Sequence, residues 1–376
     1  MTDEVFEDYA SDANNDELNE GRAAFDDSVD RGKEVTCPNC GGNMVFDPKT
    51  QSLKCEHCGT IENFERSDDV SEIVIEKAFD NAEKWDKTIV VRCENCGAKV
   101  VMSADEVATE CPYCGTSQIK RVEEIAGIKP NAVHPFTISG ERAEQCAKKW
   151  AKSKIFAPYK FKKTIEAKNV HGVFEPAFTF DSFTHSRYSG TVGYTRTRTV
   201  GSGKNRRTET YTEWRRVSGT IDNFFDDVTV SASRNVDQKR FAKILPFPSE
   251  GIRVYEKKFL AGYKANHYDK DIRTCWSEAK TMMDARIRRL IVERYNADKI
   301  GTLDVYTDHS KVTYKYVLYP IYRFNYNYKS KDYGVAVNGQ TGAVVGKTPI
   351  SPVRVLIAVV LGVAALIGLY FLFNGS

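Results

Sequence analysis

Eight of the ten cysteines stand in four C-x-x-C pairs, and their spacing restricts the fold of the N-terminal third more than any other feature. The first two pairs read Cys37-Pro38-Asn39-Cys40-Gly41 and Cys55-Glu56-His57-Cys58-Gly59. The other two read Cys93-Glu94-Asn95-Cys96-Gly97 and Cys111-Pro112-Tyr113-Cys114-Gly115. Fourteen residues separate Cys40 from Cys55 and Cys96 from Cys111, and the second couple repeats the first at a constant offset of 56. A C-x-x-C-G segment forms a tight knuckle that aims two thiolates at one metal, the glycine allowing a positive φ as the backbone turns toward sulfur. Two knuckles close a tetrahedral four-thiolate site, so the pattern predicts two zinc ribbons, over 35–64 and 91–120. Iron in the same shell and a redox C-x-x-C are the alternatives, the latter lacking a βαβ context around each pair. With four protein ligands each zinc would be structural. His57 would be a fifth ligand and reads as an exposed side chain. Met44-Val45-Phe46 and Ser52-Leu53-Lys54 read as strands about the turn Asp47-Pro48-Lys49-Thr50. Segments this short have little core of their own, so loss of metal should unfold them. Thiolates kept reduced for metal point to a reducing compartment, and an extracellular disulfide scaffold would be shorter and would not repeat this spacing.

The C-terminal region adds topology. Val355 to Phe373 is nineteen residues without a charge. At 1.5 Å per residue it extends roughly 28 Å, close to the bilayer's hydrocarbon core of about 30 Å. A transmembrane helix is therefore expected over 353–373, with the lipid bilayer as its partner. Lys347 and Arg354 precede the run and no basic residue follows it, which predicts a single-pass, tail-anchored chain with its bulk in the cytoplasm. No apolar stretch near Met1 suggests a signal peptide. Residues 1–34 hold twelve acids against Arg22, Arg31 and Lys33, a net of −9 that leaves +12 for the remainder. This acidic tail reads as disordered. The basic remainder suits an anionic membrane surface or nucleic acid. Between the ribbons, the helical linker expected over 65–90 centres on Asp68 to Lys87, with Ser67 as N-cap and Ile75, Phe79 and Ala82 on one face.

Residues 128–350 carry an internal repeat. Val173-Phe174-Glu175-Pro176-Ala177-Phe178-Thr179-Phe180-Asp181 aligns with Val317-Leu318-Tyr319-Pro320-Ile321-Tyr322-Arg323-Phe324-Asn325 at an offset of 144. Each follows an amphipathic helix, Gly140 to Lys154 and Trp276 to Tyr295, and each continues as an alternating strand opened by a proline where no ladder donor is needed. The fold class read from this is α+β, a duplicated helix plus antiparallel-sheet domain behind two ribbons. An inserted hairpin spans about 187–219, with strands Ser189 to Val200 and Arg207 to Gly219 around Gly201-Ser202-Gly203-Lys204-Asn205. Arg187, Arg196, Arg198, Lys204, Arg206, Arg207, Arg215 and Arg216 face only Glu209 and Glu213 there, interleaved with Tyr188, Tyr194, Tyr211 and Trp214. Such a strip can grip phosphates and stack bases. The plainer reading is an edge hairpin whose charges prevent aggregation or meet lipid headgroups. Arg286, Arg288, Arg289 and Arg294 read as the solvated face of a helix.

The catalytic signatures sought are missing. Gly342-Ala343-Val344-Val345-Gly346-Lys347-Thr348 imitates a phosphate-binding loop, but that motif needs four residues between its glycines and a helix after the threonine, whereas Pro349 follows here. No nucleotide is expected. HExxH, G-x-S-x-G and Rossmann glycine patterns are absent, and His134, His171, His185, His267 and His309 are scattered. The expected role is a non-enzymatic adaptor or binding platform for a protein partner.

The two ribbons, Thr212-Glu213-Trp214-Arg215-Arg216-Val217-Ser218-Gly219, Phe224-Phe225-Asp226-Asp227-Val228 and Val337-Asn338-Gly339-Gln340-Thr341-Gly342 together resemble a bacterial family of zinc-ribbon membrane proteins. Its members are often labelled primosomal or replication-restart helicase-like. The resemblance covers most of residues 35–350 and implies, as an alternative, a nucleic-acid-binding factor at the membrane without a helicase motor. The 337–346 segment is also similar to the strand endings of PepSY-like domains, which suits a helix followed by antiparallel sheet.

Overall fold

The computed structural model describes residues 35–80, 88–95, 99–103, 111, 119–122, 128–159, 161, 170–234, 236, 238–328 and 331–374. In chain order the elements are β1 (Met44–Asp47), β2 (Ser52–Cys55), β3 (Ile61–Glu62), β4 (Ile73–Val74), α1 (Lys77–Asp80), β5 (Thr88–Cys93), β6 (Lys99–Ser103), β7 (Ile119–Val122), β8 (Ala132–Val133), α2 (Gly140–Ser153), β9 (Val170–Val200), β10 (Arg207–Ser231), α3 (Gln238–Ile244), β11 (Arg253–Val254), β12 (Lys264–Asn266), α4 (Ile272–Arg294), β13 (Lys299–Tyr328), β14 (Lys331–Asn338), β15 (Val344–Gly346) and α5 (Pro352–Asn374). β1, β2 and β3 form a small sheet, and the other strands join one large sheet in which β9 and β13 are adjacent.

β9 and β13 pair antiparallel from Phe324 opposite Val170 to Lys299 opposite Gly193. Their middle is buried on both faces. Phe174, Phe178, Phe180, Tyr314, Tyr316, Leu318, Tyr322 and Phe324 fill one face with α2, α4 and β1–β2. Ala177, Val317, Tyr319 and Ile321 meet Phe241, Ile244 and Phe247 on the other. This explains why the strands read as near-continuous apolar runs here and alternate farther out, where one face is open.

Each long strand exchanges neighbours at a proline. On the outer edge of β9, β12 runs parallel to Val173 and Phe174, and β10 takes over antiparallel from Ala177. On β13, β8 runs parallel to Val317 and Leu318, and β14 takes over from Ile321. Pro176 and Pro320 sit at these handovers, their carbonyls accepting from Ala232 N–H at 3.0 Å and Gly339 N–H at 2.8 Å. In a strand a residue's N–H and C=O point to the same edge, so each proline lacks its donor where one neighbour has ended and the next begins. The prolines thus lie inside the strands rather than opening them, and the sheet contains two parallel pairings rather than being wholly antiparallel.

The helices follow from caps and stripes. Asp271 accepts from Thr274 N–H at 2.6 Å to start α4, and Cys275, Ala279, Met283, Ile287 and Ile291 recur every fourth residue to bury one stripe. Ser139 caps α2, whose buried stripe is Ala143, Ala147 and Ala151, small residues that let the helix lie close to the sheet. α5 is long and apolar enough to cross a membrane, and its apolar window, Pro352–Tyr370, is not buried against the rest of the protein.

The stretch from Asp68 differs from its helical expectation. Residues 65–72 form no regular element, Ile73 and Val74 pair with Tyr314 and Thr313 as β4, and only Lys77–Asp80 is helical; 81–87 lie outside the described residues. Ser67 accepts from Asp69 N–H at 3.2 Å, closing a local turn instead of a helix. The free edge of β13 offers backbone partners that a weak helical pattern cannot match. The acidic tail, 1–34, also lies outside the described residues. Gly342 to Thr348 forms a turn and β15, not the start of a helix.

β9 and β13 slip register between Ile300 and Leu303, where a Cβ on Gly190 would lie 2.1 Å from the Thr302 carbonyl oxygen. Gly190→Ala is expected to destabilise the detergent-solubilised chain by about 1–3 kcal/mol in a thermal melt. Gly219→Ala, whose Cβ would meet only the tip of Tyr188 at 2.9 Å, should cost less because that side chain can yield.

Candidate metal centre

The first four cysteines converge. The sulfurs of Cys37, Cys40, Cys55 and Cys58 all lie within 4.8 Å of one another, with Cys37 to Cys58 and Cys40 to Cys55 both at 3.5 Å. A tetrahedral shell with metal–sulfur bonds of about 2.3 Å places sulfurs roughly 3.8 Å apart, so the set can hold one metal ion. Gly41 and Gly59 take φ of 71° and 76°, and their N–H groups return to the carbonyls of Cys37 and Cys55 at 2.9 and 3.0 Å, closing both knuckles. A Cβ on Gly42 would lie 3.4 Å from the Cys40 sulfur and 3.5 Å from that of Cys55, so glycine there keeps the shell uncrowded. Asn39 Nδ2 donates toward the Cys58 sulfur at 3.8 Å. His57 is exposed and outside the set.

The thiols cannot all ionise without a cation among them. The Thr60 hydroxyl, 3.0 Å from the Cys58 sulfur, leads the contacts that lower that thiol to about 5. The Gly42 amide pulls Cys40 down, but its hydrogen bonds with Cys58 and Cys55 prevail and push it up to about 12. Charge concentrates on one sulfur at its neighbours' expense, which a divalent ion would relieve.

The four-cysteine unit is not a free-standing module. Cys37 and Cys55 are buried with Met44, Phe46 and Leu53 in the same core as Phe136 and Phe174. Phe46 and Phe64 stack edge-on against Phe259 at 5.5 and 5.1 Å, and Phe46 N–H donates to Ala261 O at 2.9 Å. Gln51 Nε2 reaches Phe136 O at 2.7 Å. The small core expected from sequence is thus supplemented by the main sheet's own. Cys40 and Cys58 remain on the exposed side.

Of the second four, Cys93 ends β5 and Cys111 follows, both buried; Cys96 and Cys114 lie outside the described residues. The basic hairpin forms as expected, Arg207 opposite Val200. Its charges, however, are largely paired. Glu213 holds Arg196 and Arg215 at 3.1 and 2.8 Å, and Glu209 holds Arg198 and Arg207 at 3.3 and 2.9 Å. Arg196 and Arg215 also lie over Tyr194, and Arg198 over Tyr211. Arg206 and Arg216 are exposed, while the Lys204 side chain is outside the described set. Threonines 195, 197 and 199 face 212, 210 and 208 across the ribbon's opposite side. Arg288 and Arg294 are not merely solvated: they donate to Leu303 O and Thr220 O.

No family model matches the chain, and no solved structure matches it. Over 317 residues, 84% of this chain and 89% of the relative, it is 31% identical to the Bacillus subtilis (strain 168) protein named "Uncharacterized protein YdjG". The chain belongs to the YdjG family. With 376 residues in all, at most 59 fall outside a match of 317, so residues 60–317 are necessarily within it. The YdjG relationship therefore includes the second cysteine couple, the hairpin, β9 and β13 as far as Val317.

This YdjG-family chain also contains clusters that its sequence concealed. Glu72, Asp181 and Asp226 bring carboxylate oxygens within 4.8 Å of one another. Lys315 lies beside them, 2.8 Å from Asp227, 3.2 Å from Glu72 and 3.8 Å from Asp181. Two register slips, Phe225/Val228 and Ser310/Thr313, flank the group. Glu72 reaches it from the linker, where Thr313 also donates to it at 2.7 Å. The contributing residues are more than 240 positions apart, so no local signal could have revealed them. Burial, then the hydrogen bond shared with Glu72, raises Asp181 to about 7; the same bond leads the causes that lower Glu72 to about 2. Ser182 Oγ lies 3.2 Å from His309 Nδ1, but Ser182 is wholly buried and offers no surface to a substrate.

Cys55→Ser should remove one metal equivalent by elemental analysis, and His57→Ala should remove none. Asp181 gives a pH test. Its folded pKa is raised, so the native chain holds the extra proton; that stabilising contribution is present at low pH and is lost as pH rises toward 7. Asp181→Asn should therefore flatten the fall in melting temperature between about pH 5 and 7 and leave stability above pH 7 equal or higher. Glu72 does not interfere, because its contribution fades only as pH falls toward about 2.

Proposed function

We propose that this protein is a non-enzymatic binding platform, held at the cytoplasmic face of a membrane by α5, that presents two zinc ribbons to a protein partner. The observation that carries it is the four-thiolate centre. A metal there has no open position for a substrate, and the ribbon's buried side is fixed to the main sheet through Phe46, Phe64 and Phe259 while Cys40 and Cys58 face outward. Zinc suits the all-sulfur donor set. A second ribbon is supported by the burial of Cys93 and Cys111, which match Cys37 and Cys55 at the 56-residue offset. Reduced thiolates, with Lys347 ahead of α5 and Arg354 in its first turn, support a cytoplasmic bulk.

Duplication of the platform is supported by register. Moving β9 onto β13 by 144 residues carries Val173 and Phe174, which β12 pairs, onto Val317 and Leu318, which β8 pairs. It carries Ala177, where β10 begins, onto Ile321, where β14 begins. The equivalent residues Glu175 and Tyr319 face each other directly. Each short strand leads to a buried histidine, His134 or His267, that burial lowers to about 4, and then to a capped helix. In this reading each unit's short strand completes the other unit's long strand.

The basic hairpin gives less support to nucleic acid, since Glu209 and Glu213 already hold four of its arginines. Crosslinking and pull-down of the full chain from membranes, beside a Cys37→Ser/Cys93→Ser variant, tests the platform: a protein partner should be captured by the first and lost by the second, with two zinc ions per native chain. Single-stranded DNA affinity that falls steeply with salt and disappears on replacing Arg206, Arg207, Arg215 and Arg216 by alanine would move the reading to nucleic-acid binding. Turnover abolished by one point mutation would overturn it in favour of an enzyme.

A further inference from the structure

The C-terminal end of α2 and the loop after it meet the first turn of α5. Ser351 N–H donates to Phe156 O at 2.8 Å, and the Arg354 guanidinium donates to Ile155 O at 3.0 Å. Behind this contact α2 packs on β15, a Cβ on Gly346 lying only 2.9 Å from the Trp150 ring. Ala157 is buried and holds the loop from below. Its large apolar side chains nonetheless face outward: Ile155 is 69% exposed, Phe156 40% and Tyr159 62%, and Ile350 and Val353 beside them are 69% and 64% exposed. A rigid loop has no conformational reason to present such groups to water, and a cluster of them marks a surface made to be covered.

The sequence around the cluster is rich in lysine. Lys148, Lys149 and Lys152 are exposed on α2, and Lys154 lies over Trp150 at 5.1 Å. The sequence continues with Lys160, Lys162 and Lys163, and no acid occurs between Glu144 and Glu166. Glu144 pairs with Lys148. Exposed aromatic and aliphatic groups that follow the lysines of α2, hydrogen-bonded to the foot of an apolar helix, fit the headgroup layer of an anionic bilayer: apolar tips reach the acyl boundary and ammonium groups stay with phosphate. We propose that the end of α2 and residues 154–159 form a lipid-docking foot that seats the platform on an anionic membrane surface beside α5. This rests on the reading of α5 as a membrane-spanning helix, and it commits the patch to lipid because the same backbone contacts that fix the loop also fix α5 to it.

The test uses the full chain in nanodiscs of brominated phosphatidylcholine, with and without phosphatidylglycerol. Phe156→Trp is compared with Tyr306→Trp, an exposed control position on the distal part of β13. Tryptophan at 156 should be quenched at least about threefold more than at 306, and more strongly with phosphatidylglycerol. Replacing Lys148, Lys149, Lys152 and Lys154 by glutamine should erase the phosphatidylglycerol-dependent part while circular dichroism stays unchanged. Equal quenching at 156 and 306 in a chain that resists alkaline carbonate extraction overturns the foot and leaves the spanning reading intact. Release by carbonate overturns both.

Discussion

Backbone pairing between β9 and β13 runs from Val170 opposite Phe324 to Gly193 opposite Lys299, and every other large element takes its position from it. Because the middle of the pair is buried on both faces, it needs covers on both. α2, α4 and the β1–β2 hairpin cover one face, and α3 with Phe247 covers the other. Beyond the covered zone the strands continue as an arm supported on one side by Ile287 and Ile291 of α4 against Tyr188 and Leu303. The opposite side of the arm is open, with Phe183 and Phe224 in mutual contact at 4.6 Å and half exposed.

The parts that were legible in sequence are those governed by short-range rules. C-x-x-C-G spacing located the four-cysteine centre because knuckle geometry is local, and the amphipathic pattern of Trp276 to Tyr295 announced most of α4. The hairpin tip from Val200 to Arg207 followed from Gly201 and Gly203, both at positive φ. The failures are equally physical. Residues 68–76 have helical composition, but an unpaired edge of β13 captured Ile73 and Val74. Pro176 and Pro320 suggested strand openings because a proline cannot donate; that each could sit mid-strand depends on where two other strands end, which no window of sequence contains. Glu72, Asp181 and Lys315 meet only through that same edge capture.

Several conspicuous charges of the described residues are held by internal partners. Glu209 and Glu213 hold four arginines of the hairpin, Arg323 pairs with the fully buried Glu175, and Lys315 is shared among three carboxylates. A net positive count is therefore a poor guide to where an anionic partner would settle. The lysines that precede residue 155 differ in belonging to a stretch of sequence, 145–165, that contains no acid.

The crossed placement of the short strands bears on how the chain can be synthesised. β8 is made early, but the residues it pairs with, Val317 and Leu318, come about 185 positions later, a wait of roughly 10–40 s at 5–20 residues per second. During that interval the first half cannot mature domain by domain behind the ribosome. Its strand edges stay open until β13 emerges, so the nascent chain is most vulnerable to aggregation just before its apolar helix is produced.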